Sequence, residues 1–477
     1  MDDLKRQTAV LAEFHALCAI PRPSGHEERV SAYLMERLTS LGLSPKRDRA
    51  LNVFCDVPAT PGLEGHGRLV LQAHSDMVCV GAPDYRPLED PVWTALRDGF
   101  LCSDGRSSLG ADRGIGLAAA LALVASDAPH GPLRLIFTAD EERGLAGAKK
   151  LSPTWLEGCD GLINLDGFHF GRLLISSAGG LRQRFSKVPE LFLPMLDWPV
   201  RLSLTGLTGG HSGDDIGLGR ANAAKLLVWL LQALELPYEL ASLSVGGTYN
   251  AIPAAGEAVI VLDSRDQVQF RAWAAEFLSS AKGIYGAADP NISLTISPAE
   301  MPQWVLTVDQ REDLLALAGL IQCGPLEDHP LCPGCVGFSG SMGRLWADEE
   351  KLEIYSFLRS CNEEQMDQYG DFYETSAQGF GFETWRDRYG AWPGVARDPL
   401  SDCFLAAGET LHIPLEKSAV HVGLEASVFH AMAPEMPLVS VGMDVLDPHS
   451  VSERVRLDTV GLFLHLLEVV TKQYVGA

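Results

Sequence analysis

Apolar positions along the first third of the chain switch between a helical rhythm and short unbroken runs. Residues 8–42 read as two helices. The second opens at Ser24-Gly25-His26-Glu27, a capping-box pattern, and continues with Val30, Leu34, Leu38 and Leu41 at helical spacing. Residues 52–57 and 68–73 are apolar runs around a Pro/Gly turn and read as strands. Residues 117–125 form an Ala/Leu-rich helix, and 133–138 and 162–165 are further apolar strands. Strands alternating with helices predict an α/β sheet with a parallel core. Sites in such sheets lie beyond the carboxyl ends of the strands, where His74, Glu141 and Asp166 fall.

From about residue 181 the texture becomes α+β. Residues 201–205 and 258–263 read as strands around a helix at 221–234, and a second helix follows at 268–281. A faint echo links Gly246-Gly247-Thr248, Glu257 and Arg265 to Gly340-Ser341, Glu350 and Arg359. Its register slips by one residue, so a duplicated α+β half stays an open alternative. Residues 369–393, rich in Gly and aromatics, read as a crossing back. Residues 420–477, with His421 and His449, return to the strand-and-helix texture of the start. The expected organisation is one domain built from 1–180 and 390–477, interrupted by a second at 181–389.

At 477 residues the chain exceeds a single ordinary core. Its hydrophobic fraction of 46% and charged fraction of 21% are those of a soluble globular protein. A formal charge of −24 makes nucleic acid and anionic membrane poor partners. No apolar run approaches the ~20 residues of a membrane span, and Met1-Asp2-Asp3-Leu4-Lys5-Arg6 lacks the order of a signal peptide. Ten scattered cysteines fit reduced thiols in the cytoplasm. The single Cys332-Pro333-Gly334-Cys335 has no second pair and reads as a Pro-Gly turn flanked by thiols.

The candidate chemistry sharpens this outline. In Leu71-Gln72-Ala73-His74-Ser75-Asp76 the His and the Asp are two residues apart, on one face of a strand, so Asp76 can orient a metal-binding His74. Four other stretches carry acids or histidines where elements end. Asp112 lies in a Gly-rich turn before a helix, Asp140-Glu141-Glu142 follows the strand 133–138, Asp166 ends another strand, and His449 sits in Asp447-Pro448-His449-Ser450. Each also has an ordinary structural reading: a surface pair, an N-cap, a dipole-favoured helix start, a turn cap, a loop histidine. Gly114-Ile115-Gly116 mimics part of a dinucleotide loop but lacks the full register. Together, His, Asp, Glu, Asp and His make a mixed N/O set that suits two zinc-like ions ~3.5–4 Å apart, bridged by a carboxylate and a water. Adjacent Glu141 and Glu142 can divide the labour, one binding metal and one staying free as a general base for hydrolysis.

The stretches QAHSDMV, LGADRGIG, TADEERG, NLDG, GGHSG and DPHS, in this order, resemble the M20 metallopeptidase family. Within it they are similar to the aminoacyl-histidine dipeptidase (peptidase D, Xaa-His dipeptidase) branch, and the likeness runs from Ile20-Pro21-Arg22-Pro23-Ser24 to Ser450. The resemblance implies a catalytic α/β domain interrupted by a lid domain. It implies that His74 and Asp166 bind one zinc, Glu142 and His449 the other, and that Asp112 bridges. Asp76 would orient His74, and Glu141 would activate the bridging water and then protonate the leaving amine. In the lid, Gly209-Gly210-His211-Ser212-Gly213 resembles the segment whose histidine stabilises the oxyanion. Asn250 and Arg359 match positions that hold the substrate's carboxylate end, a task that suits an Arg fork.

Two departures stand out. The residue after the bridging acid is usually Asn in this branch and is Arg113 here. After Asp166 the family tends to continue with acids, whereas here Gly167-Phe168-His169-Phe170 follows, with His169 in a packing or rim role. Neither removes a ligand or the base. The leading expectation is a cytosolic di-zinc dipeptidase acting on short unblocked peptides such as Xaa-His or β-alanyl-histidine. The alternatives are another M20 hydrolase, such as an N-acyl amino acid hydrolase or tripeptide aminopeptidase, and an inactive binding protein with the same fold. Manganese and cobalt are the other candidate metals. The oligomeric state stays open, a homodimer included, with His211 supplied within one chain or from a partner.

Overall fold

The computed structural model describes residues 2–476, which divide into two compact units. The first runs to Ser177 and resumes as Gly394–Ala419 and from Leu424; the second is Ala178–Pro393 with Val420–Gly423. Among the described residues, no helix is long and apolar enough to cross a membrane.

An eight-stranded sheet organises the first unit. Its order is Lys46–Arg47, Val53–Val57, Leu133–Thr138, Leu69–His74, Gly161–Asn164, Leu438–Ser440, Arg172–Ser177 and Glu416–Val420. The four strands from Leu133–Thr138 to Leu438–Ser440 are parallel, and Val53–Val57 and Arg172–Ser177 flank them antiparallel. Leu69, Val70, Leu71, Leu135, Ile136, Phe137, Leu162 and Ile163 are all buried. Parallel strands covered on both faces have no solvent side, which is why they read as unbroken apolar runs. Burying one such side chain contributes ~1.5–3 kcal/mol relative to exposure. Helix Gly114–Val124 packs against strand Leu69–His74 and helix Asp3–Cys18, and is buried from Gly114 through Leu123.

Parallel strands share one carboxyl edge, so the residues after His74, Thr138, Asn164 and Ser440 gather along it. Close backbone approach tightens the gathering. A Cβ at Gly116 would strike the Leu165 carbonyl, and one at Gly442 would strike the Gly167 carbonyl. Helix Gly114–Val124 can therefore lie directly against the strand end that carries Asp166.

Two readings of local structure change here. The second helix is Glu28–Ser40, with Glu27 as its N-cap and no side-chain capping bond. Glu27 turns back to accept the Gly25 amide, and Ser24 donates to the Met77 carbonyl at 3.4 Å. The Ala/Leu-rich helix begins at Gly114, not Leu117.

The second unit is built on a nine-stranded sheet. The main path runs Ser293–Pro298, Trp198–Thr205, Gly256–Leu262, Tyr238–Gly246, Val336–Ala347, Leu352–Ser360, Gly179–Lys187 and Glu383–Tyr389; Gly324–Asp328 pairs with Val336–Ala347. Its two halves repeat one connectivity. In each, the chain's second strand lies at the centre, followed outward by the third, the first and the fourth. Helices Ala223–Gln232 and Val308–Leu320 join first to second strands, and Gln267–Tyr285 and Glu363–Gly379 join third to fourth. The earlier half is spliced into the later one, after its first strand Gly179–Lys187. Residues 369–393, expected as a crossing back, instead complete helix Glu363–Gly379 and form the edge strand Glu383–Tyr389. Met366, Gly370, Tyr373 and Ala377 bury at helical spacing along that helix.

Candidate active site

His74 closes the strand Leu69–His74 and is 1% exposed. Its Nδ1 lies 3.2 Å from Asp76 Oδ1, which leaves Nε2 facing Asp112 Oδ1 at 3.7 Å and Glu141 Oε2 at 3.9 Å. Asp76 also receives the amides of Glu141 at 3.1 Å and Glu142 at 3.3 Å. Burial opposes ionisation of Asp76, but His74 and these donors outweigh it and bring its pKa down to about 2. One buried carboxylate thus orients the imidazole and fixes the loop carrying both glutamates. Arg22, 1% exposed, donates to the carbonyls of Ser75 at 3.1 Å, Asp76 at 2.9 Å and Gly110 at 2.5 Å, tying this loop to the Asp112 turn.

Glu453 builds that turn. Its carboxylate accepts the amides of Leu109 and Gly110 at 2.9 Å each and of Asp112 at 2.8 Å. Asp112 then stands between two histidines, Oδ1 toward His74 and Oδ2 at 2.5 Å from His449 Nε2. His449 Nε2 also lies 2.9 Å from Glu142 Oε1. Burial disfavours its charged form, yet the carboxylates of Asp112 and Glu142 push His449 up to about 10. Arg113, Asp140, Asp447 and His449 all have positive φ. Non-glycine residues in that region cost roughly 1–3 kcal/mol each and cluster where function requires the geometry.

Glu141 is set apart from this set. Burial pushes it up to about 8, with the nearby Glu425, Glu142 and Asp112 adding to the effect and His74 opposing it. Beneath it, Glu425 Oε2 accepts from Gln72 Nε2 at 2.7 Å and Thr138 Oγ1 at 2.8 Å, and Asn164 donates to Gln72 Oε1 at 2.5 Å. Burial raises Glu425 to about 7. Arg22, Gln72, Glu425 and Glu453 were not singled out from the sequence as supports. Glu425, an acid between Leu424 and Ala426, was the one with a visible signal.

The expected ligands converge unequally. Ligand atoms of His74, Asp112 and Glu142 lie within 4.8 Å of one another, and His449 Nε2 touches the latter two. Asp112 Oδ1 is buried with no hydrogen bond. Arg113 Nη1 lies 3.2 Å from that oxygen, and imidazole and carboxylate groups converging this closely are the donor set a divalent ion takes, so these residues fit one. With Asp166 included, two histidines and three carboxylates accommodate two. Asp166, however, faces the Arg113 guanidinium, and its Oδ2 is buried without a hydrogen bond.

His211, Asn250 and Arg359 belong to the second unit. His211 Nδ1 is engaged by its own segment, by the amides of Gly213 at 3.3 Å and Asp214 at 3.2 Å and by Asp214 Oδ2 at 3.1 Å. That leaves Nε2 for a ligand. Asn250 adjoins it, its carbonyl accepting the Ser212 amide at 2.7 Å. Arg359 is buried, with Nη1 donating to Tyr389 Oη at 2.7 Å, its guanidinium 4.1 Å from the Phe357 ring centroid, and Nε without a partner. Burial lowers its pKa from the ordinary guanidinium value. His421 Nε2 lies 2.6 Å from Ser339 Oγ. An arginine buried with a spare N–H suits an anionic group.

Comparison with known proteins agrees with this chemistry. The model of peptidase family M28 matches residues 52–188, the stretch containing His74, Asp112, Glu141, Glu142 and Asp166. The chain is 31% identical over 470 residues to the cytosol non-specific dipeptidase of Escherichia coli, covering 96% of each. Its fold is similar to that of aminoacylhistidine dipeptidase from Vibrio alginolyticus, with a TM-score of 0.91 at 29% identity over 98% of this chain and 97% of that one. The aminopeptidase PepT of Bacillus cereus shares the fold at a TM-score of 0.57 and 15% identity, covering 98% of each chain. Fold and site together define a metallopeptidase, a hydrolase of peptide bonds. The chain belongs to the M20 metallopeptidase family, in its aminoacyl-histidine dipeptidase branch.

Proposed function

We propose that this dipeptidase hydrolyses short unblocked peptides of the Xaa-His and β-alanyl-histidine kind, in the cytoplasm, with zinc as its working metal. The observation that carries the reading is Glu141. It lies 3.9 Å from His74, outside the His74, Asp112 and Glu142 group, with burial holding its pKa high. Divalent ions held by His74, Asp112, Glu142, Asp166 and His449 would supply the Lewis acidity that polarises a carbonyl and acidifies water. Glu141 takes the proton of the attacking water and hands it to the leaving amine, a carboxyl poised near neutrality serving both steps. Asp76 holds His74 and the Glu141 loop in register. His211 donates through Nε2 to the developing oxyanion, while Arg359 and Asn250 bind the peptide's carboxylate end. The names of the Escherichia coli and Vibrio alginolyticus relatives support the dipeptide class.

The test is hydrolysis of β-alanyl-histidine beside Xaa-His, Xaa-Leu and acetyl-amino-acid substrates, using chelator-stripped protein with and without added zinc or manganese. Metal-restored cleavage of free dipeptides is the expected result. Cleavage of the acetylated compounds alone would move the protein to acylase chemistry.

A further inference from the structure

Strand Gly179–Lys187 turns Leu181 and Gln183 toward helix Glu363–Gly379. A Cβ at Gly370 would strike Leu181, and Gln183 Nε2 donates to the Gly370 carbonyl at 2.9 Å. Gly180 and Arg182 therefore lie on the opposite face of the sheet. Two rows cross three strands there: Arg359, Gly180 and Tyr389, and beside them Phe357, Arg182 and Asp387. A side chain at Gly180 would strike the Tyr389 ring; its absence lets that ring span the middle strand, where Tyr389 Oη accepts Arg359 Nη1 at 2.7 Å. The two guanidinium groups share the Phe357 ring, 4.1 Å from its centroid for Arg359 and 5.4 Å for Arg182. Each keeps a buried Nε with no hydrogen-bond partner. Burial and the neighbouring Arg182 both act against the charge on Arg359. The nearby acids offset little of this. Asp387 reaches Arg182 at 3.5 Å but is half-exposed, and Asp214, which acts on Arg359, is already paired with His211 at 3.1 Å. Two guanidinium groups held together with unused N–H donors are arranged for an anion.

We propose that Arg182 is a second anion subsite beside Arg359, and that it extends the substrate range to dipeptides ending in Asp or Glu, favoured over their neutral amide counterparts. The inference rests on the dipeptidase reading, in which Arg359 takes the α-carboxylate, and deepens it by naming a side-chain class. The two carboxylates of an acidic residue are a few bonds apart, as the two guanidinium groups are one ring apart. Arg359 is locked by Tyr389 and meets what every dipeptide carries. Arg182, its side chain 36% exposed, meets the part that varies. A neutral side chain of the same shape leaves the repulsion between the two arginines uncompensated.

The experiment compares kcat/KM for Ala-Glu and Ala-Gln, which have one shape and differ by one charge, on metal-loaded full-length protein. The wild type is expected to favour Ala-Glu ~10–100-fold, the effect of one hydrogen bond to a charged group. Arg182→Met keeps the stem and is expected to bring the ratio near one. Arg182→Lys should keep a reduced preference, and an unreduced one overturns the inference if circular dichroism shows Arg182→Met unfolded. Calorimetry on chelator-stripped protein reads the subsite without turnover: glutarate should bind more tightly than butyrate to the wild type, and no more tightly to Arg182→Met. Equal kcat/KM for the two peptides in the wild type, or a preference that Arg182→Met retains, would overturn the inference and leave the dipeptidase reading standing. If neither peptide is cleaved, that reading falls, and equal binding of glutarate and butyrate would take the subsite with it.

Discussion

The Glu141 amide donates to Asp76 at 3.1 Å, so the candidate base hangs from the carboxylate that orients His74. The two functions share one anchor. Replacing Asp76 with Ala should weaken metal binding ~10–100-fold, as for a lost orienting partner, and lower turnover at saturating metal too. Chelator competition and steady-state rates measure the two effects separately. Normal turnover once metal is saturating would mean that Asp76 acts on His74 alone.

Glu141→Gln keeps the shape of the side chain and removes its proton chemistry. Metal content should match the wild type while kcat falls ~10²–10⁴-fold, the contribution of a positioned general base. Activity within a few-fold of wild type would assign the base elsewhere.

His211→Ala should lower kcat by ~10²–10³-fold, as for a lost oxyanion donor, leaving the metal titration unchanged. A rate equal to wild type would remove His211 from the mechanism.

Much of this site was legible because its pieces end elements. The parallel strands are mostly apolar, so acids and histidines at or just beyond their carboxyl ends, such as His74, Glu141 and Asp166, stand out at once. The second tier was hidden. Glu453 reads as an ordinary loop acid in Ser452-Glu453-Arg454, and only the fold shows it gathering three amides from a turn more than 300 residues earlier. Ser24 misled because its capping-box pattern was real in sequence, but Glu27 found a nearer donor in the Gly25 amide. The helix Glu363–Gly379 was missed because Gly370, Gly379, Gly381 and the aromatics mask four well-spaced buried positions. Arg113 was seen as a change of charge; that its guanidinium lies 4.1 Å from the Phe168 ring centroid required the turn and the strand end to be brought side by side.

The His421 imidazole gives a pH signature to the second unit. Burial, with Arg359 adding to it, lowers its pKa to about 3, against roughly 6.5 in an unfolded chain. Asp214 and His329 also face it, and the Val336 backbone supplies a hydrogen bond. Between those two values the unfolded state binds the extra proton, so the stability held by neutral His421 is complete above about pH 6.5 and is lost as pH falls toward 3. Thermal unfolding of His421→Gln should therefore show a shallower decline in Tm between about pH 6.5 and 4 than the wild type. Parallel declines would place the acid sensitivity in other groups.

The splicing of one half of the second unit into the other has a consequence during synthesis. Strand Gly179–Lys187 leaves the ribosome about 165 residues before its first neighbour, Leu352–Ser360, begins to appear. At roughly 5–20 residues per second that is a wait on the order of ten to thirty seconds. The earlier half, from Trp198 to Pro298, is contiguous and can fold meanwhile. The nascent chain must keep a solitary strand unpaired beside a finished half-sheet, and that interval is when this protein is most open to pairing with the wrong neighbour.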